Sequence, residues 1–77
     1  MDSNSFNVPV AQEPVKNWLE IGPGAIGTLT RMMLADPAAH VVAIEANTGA
    51  ARTLRGRQDM RPFLLKRRLQ VSLCGIV

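Results

Sequence analysis

The chain has little cysteine, little aromatic content and no long apolar run. Its one cysteine, Cys74, rules out an internal disulfide and is expected to be a small buried apolar group. Tyrosine is absent, and Phe6, Trp18 and Phe63 are the only aromatic residues. No stretch approaches the ~20 apolar residues needed to span a bilayer, so no membrane partner is expected. Met1-Asp2-Ser3-Asn4-Ser5 lacks the basic start and apolar core of a secretory signal, which makes a cytoplasmic location the expectation. No group of His, Cys, Asp and Glu has metal-ligand spacing. No Ser/His/Asp or Cys/His set provides a covalent nucleophile. The single histidine, His40, has no acid or thiol at ligand spacing and is expected on the surface.

Acid is also scarce in one half. Residues 46–77 hold Asp59 alone against seven bases, Arg52, Arg55, Arg57, Arg61, Lys66, Arg67 and Arg68. Residues 1–45 hold five acids against Lys16 and Arg31. The net charge of +3 is therefore an acidic half joined to a basic one. A basic half of this kind either meets nucleic acid or forms a solvated helix face. The length, 77 residues, allows one small domain. A chain near this size buries only about 60% of the surface its unfolded form exposes.

The most informative stretch is Glu20-Ile21-Gly22-Pro23-Gly24-Ala25-Ile26-Gly27. A short apolar run, Trp18-Leu19, leads into it, and a helical pattern follows. Further on, Val41-Val42-Ala43-Ile44 ends in Glu45. Strand, glycine turn, helix, strand and acid place a bare backbone turn and a carboxylate at one sheet edge. Such a site binds a nucleoside-like cofactor, with the acid on its ribose. Glu20 discriminates among cofactors. The pyrophosphate of a dinucleotide would lie over the turn, near this carboxylate. Two unit charges about 4 Å apart interact by roughly 4 kcal/mol at an effective dielectric near 20, unfavourably for an anion and favourably for a cation. S-adenosylmethionine carries an ammonium and a sulfonium and no phosphate.

Three segments follow from the patterning. Residues 1–14 read as a loose arm interrupted by Pro9 and Pro14. Residues 15–58 read as a cofactor-binding βαβα segment. Its first strand runs over 15–21 and its first helix over 25–35, with Ile26, Leu29 and Met33 as the apolar face and Met32 and Met33 as core filler. Asp36-Pro37 ends that helix. The second strand, 41–45, reads as buried on both faces. The second helix, capped by Asn47 or Thr48, extends to about residue 57 with Ala50 and Leu54 inward. Residues 59–77 form a basic segment. Pro62 breaks the chain there, residues 63–68 allow a helical turn, and 69–77 have the character of a third strand.

Trp18-Leu19-Glu20-Ile21-Gly22-Pro23-Gly24 resembles the first motif of class I S-adenosylmethionine-dependent methyltransferases. Val41-Val42-Ala43-Ile44-Glu45-Ala46-Asn47 resembles the acidic stretch at the end of their second strand. The resemblance covers roughly residues 15–54. It implies an α/β fold, a partial Rossmann-like, doubly wound parallel sheet with two strands and a third beyond them. It implies S-adenosyl-L-methionine as cofactor. Gly22 and Gly24 would form the cofactor loop, Glu45 would accept from the ribose hydroxyls, and Glu20 would hold the methionine ammonium. Ala46 and Asn47 would border the adenine pocket. The family often has its third glycine where Ile26 stands; here it is Gly27, so Gly27 is left out of the expected contacts.

Within the family, Glu20 to Gly24 followed by Thr28-Leu29-Thr30 is similar to ribosomal RNA adenine dimethyltransferases. Val41 to Asn47 is similar to protein arginine methyltransferases. The Asn/Asp-Pro-Pro-aromatic motif of the first and the paired-glutamate loop of the second are absent from the sequence. No acceptor site and no catalytic residue are identified, and the expectation is an inactive, truncated piece of such a domain that self-associates. Two alternatives stay open. One is a non-catalytic interaction module using the basic half. The other is an NAD- or FAD-dependent oxidoreductase fragment, since Gly22, Gly24 and Gly27 satisfy dinucleotide spacing.

Overall fold

The structure, a computed structural model, describes residues 14–73. Residues 1–13 of the arm expected over 1–14, Cys74 and the stretch of third strand predicted beyond Leu73 lie outside the described residues. The order of elements is β1 (Lys16–Ile21), α1 (Thr28–Leu34), β2 (Ala39–Glu45), α2 (Thr48–Gly56), α3 (Arg61–Leu65) and β3 (Leu69–Leu73). The three strands form one parallel sheet in the order β1-β2-β3. This is the partial Rossmann-like α/β fold expected, and the third strand is part of it.

Register fixes which side chains share a face. Trp18, Val41 and Leu69 lie in one row, and Glu20, Ala43 and Val71 in another on the same face. That face carries the helices. Along β2, Ala39, Val41, Ala43 and Glu45 are buried, while His40 and Val42 are exposed and Ile44 is half-buried. The expectation that β2 is buried on both faces is therefore corrected. Parallel crossovers share one hand, so two that step in the same direction set their helices on the same side of the sheet. The opposite face presents Leu19, Ile21, Val42 and Ile44 towards β1 and Gln70 and Ser72 towards β3.

The core lies between sheet and helices. Leu34, Val41, Ala43, Ala51, Leu54, Met60, Leu69 and Val71 form it, with Met33, Phe63 and Leu64 packed against them. Full burial of side chains such as Leu34, Leu54 and Met60 stabilises by about 1.5–3 kcal/mol each.

The first helix departs from expectation at its start. Gly27 has φ 63° and is the N-cap of α1, a left-handed residue that cannot lie within a right-handed helix. The helix therefore begins at Thr28, and residues 24–26 form a turn. The buried face shifts by one residue, to Gly27, Thr30 and Leu34. Ile26, Leu29 and Met32 are exposed. Gly27 is needed for packing as well as for its φ. A Cβ there would stand 2.6 Å from Leu54 Cδ1 and 3.2 Å from Met60 Cε.

The second helix has the expected cap and extent, but its buried residues are Ala51 and Leu54, and Ala50 is only half-buried. Asn47 Oδ1 accepts the Ala50 N–H at 2.8 Å and caps it. Pro62 starts α3 rather than breaking it, because the N–H it lacks is unpaired in a first turn anyway. The helix closes in a Schellman motif. Arg68 N–H donates to Phe63 O at 2.9 Å and Arg67 N–H to Leu64 O at 3.1 Å, with Arg67 at φ 61° where glycine is usual. The Arg68 guanidinium then ties β3 to the α1–β2 connection. It donates to Ala39 O at 3.1 Å, Leu34 O at 3.0 Å and Asp36 O at 2.6 Å, and lies over the Phe63 ring.

Candidate functional site

The carboxyl ends of β1 and β2 meet at one edge of the sheet, and the chain turns into α1 between them. The Gly22 N–H donates to Ile44 O at 2.7 Å, extending the β1–β2 ladder into the turn. Gly22 and Gly24 adopt φ 72° and 75°. A side chain at either would be strained by its backbone, yet a Cβ would meet nothing within 4 Å. The turn is therefore bare backbone facing open space, which is what close approach of a ligand requires.

Glu45 ends β2 and is 8% exposed. Its Oε1 accepts the Gly24 N–H at 2.8 Å and its Oε2 accepts the Asn47 N–H at 2.8 Å. The Asn47 bond, then the Gly24 bond and a contribution from the Ala46 N–H hold its carboxyl below the usual glutamate range, against the opposing effect of burial. Glu45 is thus anionic at neutral pH and fixed by backbone at both oxygens. An ionised carboxylate offers about four acceptor positions, and the two backbone bonds leave one on each oxygen. A vicinal pair of hydroxyls matches that remainder.

Glu20 lies on the other side of the turn, near the end of β1, half-buried on the helix-bearing face. Its Oε1 accepts the hydroxyl of Thr30, a residue that is fully buried in the first turn of α1. Among the described residues, none of the ion pairs involves Glu20 or Glu45. Arg31 and Arg57 pair with Asp59, and Lys16 pairs with Asp36. The turn is thus flanked by two carboxylates, which favours a ligand with a cation and hydroxyls over a pyrophosphate.

The structure brings Glu20, Gly22, Gly24 and Glu45 to one edge. Ala46 follows Glu45 and is exposed there. The Asn47 side chain is committed to capping α2, so at this edge it contributes its backbone N–H. Gly27 faces the core, against Leu54 and Met60. Thr30 is the residue that sequence reasoning missed. The signal was the spacing Gly27-Thr30-Leu34, a helical stripe one residue out of step with the more apolar Ile26-Leu29-Met33.

The basic half is partly turned inward. Arg55 donates to Val71 O at 2.7 Å, and Arg68 to the three carbonyls already described. An open groove of about 460 Å³ lined by Gln58, Arg61, Pro62, Leu65 and Lys66 lies along α3, which leads into the amino end of β3. It is therefore at the opposite edge from the two carboxylates. Among the described residues no group of His, Cys, Asp and Glu could hold a metal ion, and no helix is long and apolar enough to cross a membrane.

No protein-family model matches the chain, and no curated protein sequence does. A solved structure does resemble it. The crystal structure of a Staphylococcus aureus protein provisionally named as a caffeoyl-CoA O-methyltransferase superposes with a TM-score of 0.59 at 18% identity over 97% of this chain. The match spans 36% of that protein, so the chain corresponds to about a third of its length. At this identity the likeness establishes the fold. It is the partial Rossmann-like α/β fold found in a methyltransferase-like structure.

Proposed function

We propose that the chain is the S-adenosyl-L-methionine-binding segment of a methyltransferase. The observation that carries this reading is the pair of carboxylates on either side of a bare glycine turn. Glu45 is held by the Gly24 and Asn47 N–H groups with acceptor positions to spare, and Glu20 is held by Thr30. Glu45 would accept from the ribose hydroxyls, Gly22 and Gly24 would let the cofactor lie against backbone, and Glu20 would take the methionine ammonium. Ala46 would border the adenine. The cofactor supplies an electrophilic methyl group on a sulfonium sulfur. The protein's work is to orient it and to exclude water, which is positioning rather than covalent catalysis.

The likeness to a methyltransferase-like structure supports the reading at the level of fold. The resemblance of Glu20 to Gly24 and of Val41 to Asn47 supports an acceptor nitrogen on RNA adenine or on a protein side chain. No acceptor-binding group is identified among the described residues, so the reading assigns this chain the cofactor and not the transfer. A cytoplasmic setting agrees with it. The interaction-module reading rests on the basic half, part of which is turned inward, and the oxidoreductase reading on the spacing of Gly22, Gly24 and Gly27. The two flanking carboxylates weigh against the second.

The test is a Glu45 series read by calorimetry with S-adenosylhomocysteine. Glu45→Ala is expected to weaken binding by about tenfold or more, and Glu45→Gln by less. A 2′,3′-dideoxy analogue should bind wild type and Glu45→Ala equally. A wild type that does not distinguish the analogue from the parent compound would remove Glu45 from the site.

A further inference from the structure

We infer that Thr30 is a positioning residue that sets the selectivity of the site for a ligand ammonium group, acting through Glu20. The inference rests on the cofactor reading above and adds a residue to it. Thr30 is 0% exposed, yet its hydroxyl is not idle: it donates to Glu20 Oε1. A buried hydroxyl is costly unless bonded, and a valine of the same shape would pack against the core without that demand. Among the described residues every buried side-chain nitrogen and oxygen has a partner, and for Thr30 that partner is the one carboxylate on this side of the turn.

Geometry makes the bond directional. Thr30 sits in the first turn of α1 and is fully buried, which limits where its hydroxyl can reach. β-Branching restricts its χ1. Glu20 has no ion-pair partner among the described residues, and its bond from the Thr30 hydroxyl is the side-chain bond that orients it. With one position of Oε1 taken by the buried hydroxyl, the carboxylate is held in one orientation, and its remaining acceptor positions point in set directions. Thr30 does not touch the ligand in this arrangement. It fixes the direction in which the Glu20 carboxylate is offered.

The experiment compares two ligands on the full chain by calorimetry. One is S-adenosylhomocysteine; the other is its deamino analogue, with hydrogen in place of the amino group. Wild type should prefer the first. Thr30→Val should weaken S-adenosylhomocysteine by about fivefold to tenfold and leave the deamino analogue unchanged. Thr30→Ser, which keeps the hydroxyl, should restore the preference to within about twofold of wild type. Glu20→Gln should abolish the preference, and adding Thr30→Val to it should cause no further loss. Equal weakening of both ligands by Thr30→Val would show a merely structural role and overturn the inference. So would an unchanged preference. Should Thr30→Val not fold, a folded Thr30→Ser without the preference overturns it equally. Wild type that binds neither compound instead removes the cofactor reading, and this inference with it.

Discussion

Replacing Gly27 by alanine separates the glycine that holds the fold from the two that face the site. All three glycines have positive φ, at 72°, 75° and 63° for Gly22, Gly24 and Gly27. A left-handed conformation costs an L-residue about 1–2 kcal/mol, so each alanine variant starts with that penalty. At Gly22 and Gly24 the penalty ends there, because an added Cβ meets nothing within 4 Å. At Gly27 the Cβ would lie 2.6 Å from Leu54 Cδ1, the end of a fully buried side chain, which must shift within the core to make room. Overpacking of this kind adds about 1–3 kcal/mol. Gly27→Ala should therefore lose about 2–5 kcal/mol, against a core that in a chain this small supplies about 3–5 kcal/mol. The assay is urea unfolding followed by circular dichroism. Gly22→Ala and Gly24→Ala should keep a cooperative transition at a lower midpoint, while Gly27→Ala should be largely unfolded in buffer. Equal midpoints for Gly24→Ala and Gly27→Ala would refute the reasoning, since Leu54 and Met60 would then be yielding without cost.

Acid should destabilise the fold in a defined way. The carboxyls of Glu45, Asp36 and Asp59 are held below their ordinary range, by the Asn47 and Gly24 N–H groups, by Lys16 and the Ala38 N–H, and by Arg57 respectively. A group with a lowered folded-state pKa contributes stability that is fully present above its unfolded pKa. That stability is lost as pH falls through the folded value, here below about pH 4. Urea midpoints should fall between pH 7 and pH 3, and Glu45→Gln should flatten that dependence; an undiminished slope in the variant would exclude Glu45 as a source. Self-association is expected through the sheet. Among the described residues β1 is paired on one side only, and Leu19, Ile21 and Val42 are exposed beside it, the kind of edge that pairs with another chain. Sedimentation should show concentration-dependent mass that Leu19→Lys reduces, and a monomer at all concentrations would contradict this.

The geometry of the candidate site was more legible in the sequence than the packing around it. Gly22, Gly24 and Glu45 could be placed because a glycine turn after one strand and an acid at the end of the next leave few geometries. The start of α1 was misplaced because Ala25 and Ile26 are acceptable helix residues. Only the left-handed Gly27 excludes them, and a glycine's φ is not written in its neighbours. That one-residue shift carried the buried face from Leu29 to Thr30 and hid the partner of Glu20. The continuous apolar run of β2 reads the same whether one sheet face is covered or both, so the open face beside Val42 and Ile44 needed the element order. In the basic half, Arg55 and Arg68 read as surface charge. Their use as donors to the carbonyls of Val71, Leu34, Asp36 and Ala39 depends on contacts up to 34 residues apart in sequence, which no local pattern reports.

The proposed ligand of the glycine turn between β1 and α1 is a cationic nucleoside cofactor. The most direct measurement is a calorimetric titration of the chain with S-adenosylmethionine and, in parallel, with NAD. The account predicts saturable, one-site binding of S-adenosylmethionine that Gly24→Ala weakens, and no measurable heat with NAD. Binding of NAD as tight as that of S-adenosylmethionine, or tighter, would contradict it, because a pyrophosphate would then be lying beside Glu20 without cost.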